Sequence, residues 1–135
     1  MTPAPALSAT ARRLLDEPNI AVVATLMPDG SPQTSAVWVT RAGDDSLEFA
    51  TTPTLKLANV RRDPRVSVTV CDREDPYLEL NIRGLVTSVD PSRGVALIDE
   101  LSSSYYGKTP YPYHQPGQTW FAVTIAVVRW RTNRD

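Results

Sequence analysis

Apolar and polar positions alternate in short runs along most of the chain, and proline, glycine and aspartate punctuate the runs. Residues 19–27 (Asn-Ile-Ala-Val-Val-Ala-Thr-Leu-Met) are rich in β-branched side chains and predict a strand. Pro28-Asp29-Gly30-Ser31 predicts a turn, since proline presets the first bend and glycine accepts a positive φ. Residues 32–41 return as a second strand, with polar Gln33, Ser35 and Thr40 among apolar Val37, Trp38 and Val39. Ala42-Gly43-Asp44-Asp45 turns again, and residues 46–51 alternate as a third strand. Turns this tight predict an antiparallel meander of the three.

Further on, Val66, Val68 and Val70 fall on one face of a strand over 65–71, and 73–76 is a loop. Residues 77–89 predict a long strand in which Gly84 marks a bulge or sharp bend. Asp90-Pro91 opens a helix carrying Val95, Leu97, Ile98 and Leu101, residues 105–117 form an ordered loop rich in proline and tyrosine, and 118–131 is the last strand. At the start, residues 1–6 read as a loose lead-in, and Ser8 caps a short helix with Ala11, Leu14 and Leu15 inward, stopped by Pro18. The expected fold is mainly β with short helices: six antiparallel strands closing a small barrel, in one domain spanning 1–135.

Composition narrows what such a barrel can do. Lys and Arg number 14 against 15 acidic residues, a net charge of −1, so no global field favours nucleic acid or an anionic membrane. One cysteine, Cys71, excludes an internal disulfide, and with one histidine, His114, it argues against a metal site. Cys71 itself reads as a small buried hydrophobe. No apolar run approaches the roughly 18 residues of a membrane span, and no signal pattern opens the chain, so a soluble, cytoplasmic protein is expected. His114 has no nucleophile motif beside it and reads as a packing or surface residue, and no side chain is assigned as catalytic. Chemistry on this scaffold would have to come from a cofactor.

One stretch offers a place for one. Strand 46–51 delivers the chain to Thr51-Thr52-Pro53-Thr54-Leu55-Lys56, where Thr52 suits a helix N-cap and Pro53 the first helical position. Leu57 and Val60 share a face of the short helix, Asp63-Pro64 ends it, and Arg61, Arg62 and Arg65 follow Lys56 closely. Hydroxyls, backbone N–H groups and an ammonium at a helix start can hold a phosphate. The alternative is a connecting helix with a solvated basic face.

Residues 24–38 (Ala-Thr-Leu-Met-Pro-Asp-Gly-Ser-Pro-Gln-Thr-Ser-Ala-Val-Trp) resemble the first hairpin of the pyridoxamine 5′-phosphate oxidase-like split β-barrel superfamily. Residues 51–66 are similar to its second signature, 77–84 to its fifth strand, and Tyr105-Tyr106-Gly107 before Pro110-Tyr111 to its aromatic loop. Within that superfamily, Asn59-Val60-Arg61-Arg62-Asp63-Pro64-Arg65 looks most like the branch that uses the deazaflavin coenzyme F420, whereas pyridoxamine phosphate oxidases use FMN.

The resemblance implies an FMN-binding type of split barrel and a homodimer with two cofactor sites at the interface. It implies that Lys56 grips the cofactor phosphate with Thr51 and Thr52, that Gln33, Ser35, Val37 and Trp38 lie along the ring system, and that Tyr77 faces the site from the other chain. Many deazaflavin-binding relatives carry an arginine where this chain has Thr54. That departure passes the acidic tail to Arg61 or Arg62, or implies another cofactor. Asn59 and Asp63 read as braces of the helix end. The expected function is F420-dependent hydride transfer to a small organic electrophile. Alternatives are an FMN-dependent oxidase or reductase and a non-catalytic flavin- or F420-binding protein.

Overall fold

The computed structural model describes residues 4–134. In chain order the elements are α1 (Ala9–Asp16), β1 (Ala21–Leu26), β2 (Pro32–Val37), β3 (Thr40–Arg41), β4 (Ser46–Thr51), α2 (Leu55–Arg62), β5 (Arg65–Cys71), β6 (Glu79–Asp90), α3 (Gly94–Tyr106) and β7 (Phe121–Thr132). All strands belong to one antiparallel sheet in the order β2-β1-β5-β6-β7-β4-β3. The expected split barrel is therefore present, with seven strands where the pattern predicts six. The difference lies in residues 32–41. Their pattern reads as one strand, but Trp38 and Val39 leave the ladder, so β2 and β3 are separate pieces.

The predicted meander is corrected at the same point. β1 and β2 form the hairpin, but β3 pairs with β4 at the opposite edge of the sheet. Two strands consecutive in the chain thus occupy the two outermost positions, and the sheet must curl to bring those edges together. Val39 replaces its missing ladder bonds through one side chain: its N–H donates to the Tyr105 hydroxyl at 3.1 Å, and that hydroxyl lies 2.9 Å from the Val39 carbonyl. Buried backbone groups need such partners wherever a ladder is interrupted.

The inner face follows from the alternation. Ala21 and Val23 of β1, Val66, Val68 and Val70 of β5, Leu80 and Ile82 of β6, and Val123, Ile125 and Val127 of β7 meet Leu47 and Phe49 of β4 in one cluster. Helix α1 adds Ala11, Leu14 and Leu15 to it, with Ser8 accepting from the Ala11 N–H as the expected N-cap. Of the expected lead-in 1–6, residues 1–3 lie outside the described residues; Ala4 packs on the core and the Pro5 carbonyl accepts from Trp130 Nε1. Cys71 is half-buried, not buried, because it ends β5 opposite Glu79 on the last rung with β6. Among the described residues no helix is long and apolar enough to cross a membrane.

Two helix boundaries move relative to the pattern. Thr54, not Thr52, is the N-cap of α2. Helix α3 starts at Gly94 and not at Pro91, because Asp90 ends β6 and its carboxylate takes the Ser92 N–H and hydroxyl into a turn. The same helix runs on to Tyr106, so Tyr105 and Tyr106 are helical and the loop begins at Gly107, whose φ of 70° closes α3.

Gly84 sits where the β6–β7 register shifts, as a bulge does. A Cβ there would meet Ile125 Cγ2 at 2.5 Å and the Ala126 carbonyl oxygen at 2.6 Å. Gly94 is tighter: a Cβ would lie 1.9 Å from the Trp120 carbonyl oxygen, so α3 starts in backbone contact with the approach to β7. Gly94→Ala is expected to destabilise the protein by at least about 2 kcal/mol, since neither backbone can yield cheaply. Urea denaturation should show a lower midpoint at an unchanged m-value.

Candidate functional site

A cavity of about 300 Å³ opens beside the Trp38–Val39 crossing. Five parts of the chain build it, Ile20 before β1 being the smallest. The end of β2 and the crossing contribute Ala36, Val37 and Trp38; the end of β4 and the start of α2 contribute Thr51, Thr52, Thr54 and Lys56. Ile98 and Leu101 come from α3, and Tyr111 and Trp120 from the segment between α3 and β7. One wall is apolar and aromatic, the other is hydroxyls and an ammonium. No carboxylate is among the lining residues.

Lys56 is the cation of the site. It is half-buried, and burial alone pushes its ammonium below the ordinary lysine pKa. Among the described residues it has no acidic partner. Beside it, the α2 N-terminus is left open. Thr54 is extended at φ −132°, ψ 178°, and its side chain makes no capping bond. Its hydroxyl instead lies 3.0 Å from that of Thr51, which also bonds to the Thr52 carbonyl at 2.8 Å. The first N–H groups of α2 therefore lack the side-chain acceptor that a threonine cap normally supplies. A half-buried ammonium, an uncapped helix start and the Thr52 hydroxyl are a donor set suited to a phosphate.

The opposite wall is held by rings. Trp38 stacks on Tyr105 at 5.4 Å between centroids and 17° between planes, and meets Tyr111 edge-on at 6.2 Å. Tyr111 meets Trp120 edge-on at 5.5 Å. Tyr105 is pinned from behind: its hydroxyl bonds to the Asn19 carbonyl at 2.8 Å as well as to Val39, and burial pushes its phenol above the ordinary value. The 107–120 segment is pinned by Asp99, whose Oδ1 accepts from the Tyr111 N–H at 2.8 Å and lies 2.8 Å from His114 Nε2. Burial pulls the Asp99 carboxyl upward, but the bonds from His114 and Tyr111 outweigh it and leave the group below its ordinary pKa. His114 packs edge-on against Tyr111 and Trp120, so it braces the wall from outside the lining.

Of the residues singled out in the sequence, Lys56, Thr51, Thr52, Val37 and Trp38 meet around this cavity. Gln33 and Ser35 do not line it; they bond to each other at 3.2 Å on β2, and Gln33 also approaches Thr25. Arg61 lies outside the lining too, with its guanidinium 4.8 Å from the Phe121 ring centroid. Tyr77 is exposed in the turn before β6, away from the cavity of its own chain. Arg62 donates to the Leu26 carbonyl and to Asn59, and Arg65 forms a two-armed pair with Asp63. Asn59 is fully buried and donates to Thr25, so it braces α2 against β1 as expected. Sequence reasoning missed Ile98, Leu101 and Trp120 as lining, and the Asp99–His114 brace. Ile98 and Leu101 show helical spacing and read as core positions of α3, while nothing local in the chain ties them, Trp120 or the Asp99–His114 brace to the Lys56 cavity.

Residues 7–131 match the family model described as pyridoxamine 5′-phosphate oxidase. Among solved structures, one described as "F420 Reductase" is 28% identical, with a TM-score of 0.78 over 89% of this chain and 94% of that one. The protein Atu2129 from Agrobacterium tumefaciens is 24% identical at a TM-score of 0.71, over 93% of this chain and 55% of that one. General Stress Protein 26 from Bacillus anthracis is 17% identical at a TM-score of 0.68, over 91% and 90%. No curated protein matches the chain.

Tyr105→Phe keeps the stacking ring but strips the acceptor from the Val39 N–H and the one hydroxyl proton that the Asn19 and Val39 carbonyls share. It is expected to cost about 1–3 kcal/mol of stability, as unsatisfied buried groups do. Near-ultraviolet circular dichroism should also show a weaker Trp38 signal.

Proposed function

We propose that this chain, which belongs to the pyridoxamine 5′-phosphate oxidase family, is an F420-dependent oxidoreductase acting on a small organic electrophile. The observation that carries the reading is the unpaired, half-buried Lys56 at one end of a carboxylate-free cavity with an aromatic wall along the other side. A planar, phosphate-bearing cofactor needs those two surfaces together. The likeness to the structure described as an F420 reductase supports the deazaflavin form of the reading.

The residues present fit such a group. Lys56, Thr52 and the α2 N–H groups would hold its phosphate, and Val37 and Trp38 would lie along its ring. When bound in reduced form, the deazaflavin supplies a hydride. The chain's part is to orient, to exclude water and to leave room for the acceptor. Tyr111 and Trp120 line the far side of the cavity and narrow it there. FMN is the second reading. Arg62 and Arg65 are engaged within the protein, so the α2 region holds less free charge for an acidic tail than the sequence suggests.

The family's dimeric arrangement is part of the proposal. Val22, Leu85 and Val128 are exposed on the outer face of the sheet at 41%, 37% and 42%. Leu85 and Val128 line one largely apolar hollow with Ala24, Leu26 and Val66, and such a surface suits a second copy of the chain. Light scattering should give a mass twice that of the chain, and a monomer that still binds cofactor would remove this part of the reading.

Titration with F420 and with FMN, followed by tryptophan fluorescence, tests the cofactor directly. Trp38 and Trp120 both line the cavity, so a ring bound there should quench strongly. Tighter F420 binding is expected, and binding of neither would end the proposal. Lys56→Ala should weaken binding by roughly 10- to 150-fold, equivalent to 1.5–3 kcal/mol for a charged hydrogen bond. A bound phosphate favours the ammonium, so affinity should fall as pH rises through the Lys56 pKa. Because burial holds that pKa below its ordinary value of 10.5, the fall begins at lower pH than for a surface lysine.

A further inference from the structure

The segment between α3 and β7 is held by point contacts and not by burial. Every residue from Gly107 to Thr119 except Tyr111 is exposed. The Ser102 hydroxyl holds its start, donating to the Lys108 carbonyl at 2.6 Å, and Gly94 touches its end at Trp120. Between those ends, α3 reaches it through the Tyr106–Tyr113 hydroxyl pair at 3.1 Å and through Asp99. Stretches with so little buried apolar surface open more easily than the sheet they hang from.

Asp99 acts where the segment meets the cavity. Its Oδ1 takes the Tyr111 N–H and lies beside His114 Nε2, each at 2.8 Å. The His114 ring lies edge-on to Tyr111 at 5.4 Å and to Trp120 at 6.3 Å between centroids, the two residues that the segment gives to the cavity. The His114 and Asp99 side chains are 31% and 26% exposed, so solvent protons reach the pair. Facing His114 are Asp99 on α3, the Tyr111 phenol of its own segment and the uncharged Trp120 indole before β7. Lys108, the one lysine of the segment, lies over the Tyr106 ring. Burial pulls the Asp99 carboxyl upward, but its bonds from His114 and Tyr111 leave it below its ordinary pKa, so it is ionised at neutral pH. The charge state of the pair is therefore decided by the imidazole.

We propose that Asp99 and His114 position this wall as a pH-dependent clamp, seating Tyr111 and Trp120 firmly when the imidazole is protonated and loosely when it is neutral. Histidine side chains change charge between about pH 5 and 8. Protonation adds a Coulombic attraction to a hydrogen bond that the neutral ring can also make. As pH rises that attraction goes, the hydrogen bond alone remains, and the segment opens more often. His114 is thus a positioning residue, touching the wall and not the ligand space. Its effect on affinity rests on the cavity being the ligand site proposed above, whereas its effect on the wall needs no ligand.

Proton NMR follows the His114 titration cleanly, because the chain has one histidine. In the ligand-free protein, hydrogen exchange at the Tyr111 amide reads the wall. Its protection, relative to the free-peptide rate at each pH, is expected to fall about two- to fivefold as His114 loses its proton, the range of a partly exposed ion pair. Affinity for F420 or FMN, taken as a ratio to that of His114→Gln, should fall by a similar factor over the same window. The ratio removes the titration of the ligand's own phosphate. Glutamine can donate to Asp99 but does not titrate, so His114→Gln should show no step in Tyr111 protection, and nor should Asp99→Asn. Lys56→Ala should keep the step. A flat Tyr111 profile across the His114 titration, a step that survives in His114→Gln, or cofactor affinity that does not follow the step would each overturn the inference. Binding of neither cofactor, with the Tyr111 step present, would end the proposed function and still support the clamp.

Discussion

The passage from β2 to β3 through Trp38 and Val39 is the constraint on which the rest of the architecture depends. These strands are the two outermost of the sheet, and only two residues separate them. In a flat seven-stranded sheet the outer strands would lie about 29 Å apart, at roughly 4.8 Å per step. Three Cα–Cα steps reach about 11 Å at most. The sheet has no choice but to roll up until its edges nearly touch. β2 and β3 nonetheless do not pair with each other, and it is here that the barrel is split.

That split also makes the site. Trp38 stands on the crossing, so it cannot enter the ladder and instead forms part of the wall of the opening. Lys56 arrives at the same opening because β4, which pairs with β3, ends in the threonines that lead into α2. The aromatic wall and the cationic end are therefore fixed to opposite lips of one seam. Tyr105 spans the seam from behind, with one hydroxyl serving Asn19 before β1 and Val39 on the crossing. The cost of half-burying a phenol on helix α3 is offset by satisfying backbone groups at the crossing.

Much of this was legible in the sequence because it is local. Val66, Val68 and Val70 alternate cleanly and do face the core, and Gly84 does mark a bulge. Lys56 and its threonines stood out because strand, proline and helix follow one another in a few residues. The break after Val37 was not legible, since Trp38 and Val39 are good strand formers and leave the ladder only because the sheet must close. Thr52 looked the better cap by position, but Thr54 holds that place while its hydroxyl turns to Thr51. The grouping of arginines was equally misleading. Arg62 and Arg65 read as free charge in the chain, yet fold back onto Leu26, Asn59 and Asp63, whereas Arg83, Arg129 and Arg131 come together only when β6 and β7 pair.

The close approach of Gly94 to Trp120 has a consequence for how such a barrel can diversify. β6 and β7 are immediate neighbours, and Asp90 pairs with Ala122 at the rung where the intervening chain leaves and returns. Everything between, α3 and the 107–120 segment, departs and re-enters at one point of the sheet. Gly94 and Trp120 touch at its neck. That stretch is a cassette hung from a single rung: it supplies Ile98, Leu101, Tyr111 and Trp120 to the cavity without carrying any strand of the barrel. Lineages that keep Tyr105 on the crossing can vary the cavity-lining positions of this stretch, such as Tyr111 and Trp120, without altering the strand order or the lysine opposite.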